Sequence, residues 1–109
     1  DATRGAITIE GTYTPHYGLR VTNVAGFDVE FRPKGRFLFT QHDDVPGVLA
    51  KITALLADAE VNVANVSLAR NKDASRAVAV IRVDGSIPSA ARDGLRELTA
   101  IHEAHRIRL

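Results

Sequence analysis

Two stretches of the chain carry small or apolar residues at the same offsets, 0, 4, 7, 8 and 11: Val48, Ile52, Leu55, Leu56, Ala59, and then Ile87, Ala91, Gly94, Leu95, Leu98. At 3.6 residues per turn each set falls on one stripe, so each stretch reads as a helix with one face to bury. Gly94 weakens the second by up to ~1 kcal/mol relative to alanine. Strand-like runs surround both helices. Phe37 to Thr40 are apolar and end at Gln41 and His42. Val61 to Ala69 alternate with β-branched residues, and a slip of phase around Ala64 and Asn65 predicts a bulge. Ala77, Ala79, Ile81 and Val83 fall on one side of the next run, with Val78, Val80 and Arg82 on the other. Two apolar sides suit a central strand. The last run places Ile101, Ile107 and Leu109 on one side, interrupted by Glu103 and His105. The order strand, helix, strand, strand, helix, strand predicts an α+β, ferredoxin-like βαββαβ domain over residues 36–109, with both helices on one face of a four-stranded antiparallel sheet. The other face is left to solvent or to a partner, so pairing of domains is expected.

Residues 1–35 follow a different rule. Short alternating runs, Ile7 and Ile9, Leu19 and Val21, Phe27, Val29 and Phe31, are separated by Gly11, Pro15 to Gly18, Ala25-Gly26 and Pro33 to Gly35. These predict strands, with Ala25-Gly26 able to close a tight hairpin. A few strands without a covering helix do not bury both faces. The segment is therefore expected to be a β-rich fragment of a preceding domain. No methionine occurs, even at position 1, which suggests that Asp1 lies within a longer chain.

Composition mainly excludes. Fourteen basic against thirteen acidic residues produce no field that draws the chain to nucleic acid or an anionic membrane. The absence of cysteine removes disulfides, thiolate metal sites and cysteine nucleophiles, and suits a cytoplasmic setting. No apolar run approaches the ~20 residues of a membrane span. No aromatic-rich strand stands beside a basic surface, as RNA binding on such a sheet would require. His16, His42, His102 and His105 lack a nucleophile-plus-base signature, and no glycine-rich nucleotide loop is present. His102 and His105, three apart on a strand, point to opposite faces and would chelate a metal poorly. Catalytic residues, a metal site and a cofactor are therefore not expected in this segment.

The informative stretch is His42-Asp43-Asp44-Val45-Pro46-Gly47-Val48-Leu49, joining the first strand of the βαββαβ unit to its first helix. Backbone N–H groups at a helix start, aided by the dipole, favour a carboxylate. Asp44 beside them can accept from an ammonium, so the stretch has the polarity of an amino-acid zwitterion. It can equally be read as local structure, with Asp43 or Asp44 as a helix cap, Pro46 as an initiating residue and Gly47 as a point of close packing. Asn62, at the start of the second strand, can serve a ligand or a turn.

These residues resemble the ACT domain family: Asp-x-Pro-Gly-Val-Leu after the first strand, Ala-Leu-Leu closing the helix, and Val-Asn-Val-Ala leading into the second strand. The resemblance implies side-by-side pairing of domains into one extended sheet, with small ligands, mostly amino acids, at the interface. Upstream, Glu10-Gly11-Thr12, Val24 to Val29 and Arg32-Pro33-Lys34-Gly35 resemble the junction before the C-terminal ACT domain of long D-3-phosphoglycerate dehydrogenases. Iron–sulfur L-serine dehydratases have a similar junction. The former resemblance implies a parent enzyme that uses NAD and an L-serine effector. It places the family's serine site on His42 and Asp44, with Asn62 across the interface, and Pro46, Gly47, Val48 and Leu49 of the same turn complete the expected ligand-binding set. Asp44 departs from the pattern, standing where the serine-binding members carry Asn. A pure assembly module that binds no ligand is the competing expectation.

Overall fold

In a computed structural model of the chain, residues 8–71 and 75–109 are described. Expectations touching Asp1, Ile7 and positions 72–74 of the polar turn lie outside these residues. The elements are β1 (Ile9–Thr14), β2 (Gly18–Val24), β3 (Phe27–Phe31), β4 (Arg36–Asp43), α1 (Val48–Asp58), β5 (Asn62–Arg70), β6 (Arg76–Asp84), α2 (Ser89–Arg96) and β7 (Ile101–Arg108). They form a three-stranded sheet of order β1-β2-β3 and a four-stranded sheet of order β5-β6-β4-β7, with every strand pair antiparallel. The second sheet with its two helices is the expected ferredoxin-like arrangement.

Both helical stripes meet the same face of that sheet. Val48, Ile52 and Leu56 of α1, with Ile87, Ala91 and Leu95 in and before α2, share one core with Leu38, Ala79, Ile81, Val83, Ile101 and Ala104. Gly94 lies where the helices meet, and a Cβ there would stand 3.6 Å from Leu55 Cδ2, an ordinary packing distance. The slip expected near Ala64 is present as a register shift between Val63 and Asn65.

The opposite face does not await a partner. Phe37, Phe39, Val78 and Val80 pack against Val21, Val24, Phe27, Val29 and Phe31 of the three-stranded sheet. Phe39 is fully buried between the two layers of strands, a burial worth about 1.5–3 kcal/mol relative to exposure. Residues 8–35 thus bury one face here, which their lack of a helix had not suggested. Ala25 and Gly26 close the β2–β3 hairpin with φ of 53° and 87°, the doubly positive geometry of a type I′ turn. Asn23 Oδ1 accepts the Gly26 N–H at 3.0 Å.

Three local expectations change. Gly11 is not a break but lies inside β1 at a register shift, where a Cβ would stand 2.7 Å from the Arg20 carbonyl oxygen. On β7, Gln41 pairs with Glu103 and His42 with Ile101, leaving His102 as an extra residue. That bulge reverses the alternation, so Ile101 joins the helix-side core while Ile107 packs against the strand-side one. Finally, neither Asp43 nor Asp44 caps α1. Its N-cap is Gly47 at φ 87°, with no side-chain cap. Nothing lies within 4 Å of a Cβ built on Gly47, so conformation rather than close packing explains the glycine.

Candidate functional site

The stretch from His42 to Leu49 leaves the end of β4, turns through Val45, Pro46 and Gly47, and enters α1. The first N–H groups of a helix have no partner within it. Here no side chain caps them and the first turn holds no acidic residue, so the positive end of the helix is open to an anion. Val48 anchors the turn in the core, while Val45, Pro46 and Gly47 are exposed and Leu49 is partly buried.

His42 is 4% exposed. It lies at the same side of β4 as Leu38, whose side chain is in the helix-side core. Its Nδ1 is 3.3 Å from Thr40 Oγ1, and the Thr40 hydroxyl donates to the Ala79 carbonyl at 3.5 Å. From these contacts the neutral ring is assigned with Nδ1–H donating to Thr40, which leaves Nε2 as an acceptor. Burial holds the imidazole below the ordinary histidine range, against the pull of Asp44 and Asp43 toward the charged form.

The two carboxylates are partnered. His102 Nε2 lies 2.6 Å from Asp43 Oδ1, and Arg76 Nε lies 3.9 Å from the same oxygen. The hydrogen bond from His102 is the main reason the Asp43 carboxyl is held below its usual range, with the charges of His102, Arg76 and His42 adding to it against a desolvation that raises it. Asp44 Oδ2 accepts from Arg70 Nε at 2.9 Å. Beside this end, Asp43, Val48, Lys51 and residues 97–101 surround a cavity of about 360 Å³.

Asn62 is not brought to this group. It pairs with Asp84 at the start of β5 and its amide donates to Asp84 Oδ2 at 2.7 Å. Asp44 instead meets Arg70, at the other end of β5, a separation of roughly 25 Å at ~3.3 Å per residue. The sequence reading also missed Arg70, Arg76, His102 and Thr40. Their roles follow from cross-strand register, and a local motif carries no such signal. His102 and His105 bind separate carboxylates, Asp43 and Glu103, and among the described residues no group of three or more metal-ligating side chains is found.

A βαββαβ unit with both helices on one face of its sheet defines a ferredoxin-like domain, and residues 36–100 match the ACT domain family. The chain belongs to that family. Its relatives carry one name: it is 27% identical over 106 residues, 97% of this chain, to the D-3-phosphoglycerate dehydrogenase of Bacillus subtilis. It is 27% identical over 107 residues, 98% of this chain, to that of Synechocystis, and 29% identical over 90 residues, 82% of this chain, to that of Mycobacterium tuberculosis. The chain spans about a fifth of the length of these relatives, between 17% and 20%.

Proposed function

We propose that this chain is the amino-acid-sensing and pairing module of a D-3-phosphoglycerate dehydrogenase, with L-serine as the effector. The observation that carries the reading is the uncapped start of α1 beside a buried neutral imidazole. Free amides suit a ligand carboxylate, His42 Nε2 suits a ligand N–H or O–H, and Asp44 suits an ammonium once Arg70 yields. Asn62 enters from a second copy. Strand β5 is at a sheet edge, pairs among the described residues with β6 alone, and carries one charged residue, Arg70, at its end. Antiparallel pairing of two β5 edges about a two-fold axis sets Asn62 of one copy against the Arg70 and Asp44 end of the other. Residues 1–35 are then the last strands of a preceding domain, a reading supported by Tyr13, Tyr17 and Leu19, exposed together at the β1–β2 turn end of the sheet.

NAD does not fit this segment. Its described strands are all antiparallel, without the parallel unit and glycine-rich turn of a dinucleotide site, so the nicotinamide chemistry of the proposed parent belongs elsewhere. No described helix is long and apolar enough to cross a membrane.

A second reading, assembly without a ligand, is favoured by the ion pair that already occupies Asp44. Calorimetric titration with L-serine and other amino acids, read beside sedimentation, separates the two. Sensing predicts saturable heat, a rise in melting temperature at millimolar serine, and weakened binding in Asn62→Ala without loss of fold. A dimer indifferent to every amino acid establishes assembly instead.

A further inference from the structure

Positive charge gathers at the opposite end of the four-stranded sheet. Arg36, Arg92, Arg106 and Arg108 line one cavity of about 290 Å³ with Ser86, Ile87 and the strand positions Phe37 and Ile107, and among the described residues no carboxylate lines it. The register explains the convergence. Arg36 on β4 stands directly opposite Arg108 on β7, and Arg106, two residues back, lies on the same side. Arg92 reaches in from α2.

The contacts these arginines make leave their charge in place. Arg36 donates to Ser86 Oγ at 2.7 Å and Arg106 to the Ile87 carbonyl at 3.0 Å, both neutral acceptors. Only Arg92 has a carboxylate, that of the neighbouring Asp93 at 3.2 Å. Among the described residues no ion pair involves Arg36, Arg106 or Arg108. Like charges directly opposite on antiparallel strands repel. The chain as a whole carries a net charge of only +1, so this cluster is not a by-product of general basicity. Planar guanidinium forks held by neutral anchors match the oxygens of a phosphoryl group in geometry and charge. The cavity exceeds what a phosphate fills, which leaves room for a short carbon skeleton.

We propose that this cavity binds a small organic phosphate, with the phosphoryl dianion held by Arg36, Arg106 and Arg108. The site is separate from the 42–49 turn and does not rest on the amino-acid reading. The test titrates the 109-residue chain with glycerol 3-phosphate, inorganic phosphate, acetate and glycerol at constant ionic strength, followed by amide chemical shifts. Saturable shifts centred on Ser86, Ile87, Arg106 and Arg108 are expected with the two phosphates, glycerol 3-phosphate binding at least as tightly. Arg108→Gln, which removes no described hydrogen bond, should raise its Kd about tenfold, as loss of a charge-assisted hydrogen bond does. Arg36→Gln should act alike. Non-saturating shifts common to acetate and phosphate overturn the proposal, as does an unchanged Kd in a folded Arg108→Gln chain.

Discussion

The two ends of the four-stranded sheet treat charge in opposite ways. Where β4 ends, Asp43 and Asp44 each meet basic side chains, His102 and Arg76 for one and Arg70 for the other. Where β4 begins, four arginines face one cavity with a single neighbouring carboxylate, Asp93. The satisfied end keeps mainly dipolar capacity, in the α1 amides and neutral His42, and this suits a zwitterion with no net charge. The unsatisfied end keeps net charge, and this suits an anion. Each end also turns on a glycine at positive φ, Gly47 at 87° and Gly85 at 83°, with open space around both.

Those glycines give the largest expected effect. Gly47→Ala and Gly85→Ala should each lower stability by about 1–2 kcal/mol, the penalty of a left-handed L-residue, measured by urea denaturation. If the ends are functionally distinct, only Gly47→Ala also weakens the response to serine. Equal losses of serine response in both variants break the comparison.

Next in size is a pH effect confined to the satisfied end. Burial depresses the His42 pKa, so the unfolded chain takes up the proton first as pH falls below about 6.5. Stability is lost through that range toward the lower folded value. Asp43, also depressed, contributes stability above about 3.9 that is lost as pH falls through its folded value. The urea midpoint should therefore decline from pH 7 toward pH 5 and more steeply in acid, and His42→Gln should flatten the upper part. A wild-type midpoint constant between pH 7 and 5 contradicts the burial argument.

How much of this was legible depends on whether the signal is local. The stripes of α1 and α2 and the slip at Ala64 lie within single segments, and the structure follows them. Phe37, Phe39, Val78 and Val80 announced a second apolar face, but nothing in their spacing says that β2 and β3 cover it. The His102 bulge defeated simple alternation because one extra residue inverts every later side chain. The site divides in the same way. His42, Asp44 and Val48 come from one continuous turn, whereas Arg70, Arg76 and His102 arrive from three other strands, and Asn62 resembles a site residue that its own chain holds at the wrong end of the sheet. The arginine cavity escaped for the same reason, since Arg36 and Arg108 become neighbours only through register.

The smallest effect is the most discriminating, because it turns on sign. Arg70→Gln removes an ion pair whose arginine side chain is 70% exposed, so it should destabilise by no more than about 1 kcal/mol. Arg108→Glu removes a repulsion and sets an acid opposite Arg36, so it should stabilise by roughly 0.2–1 kcal/mol. It should also abolish phosphate binding. Denaturation midpoints at low and high salt check both, because each difference should shrink as the charges are screened. If Arg108→Glu instead destabilises the chain and the loss persists in salt, Arg108 is held by packing, and the contrast between the two ends fails at the residue where it should be easiest to see.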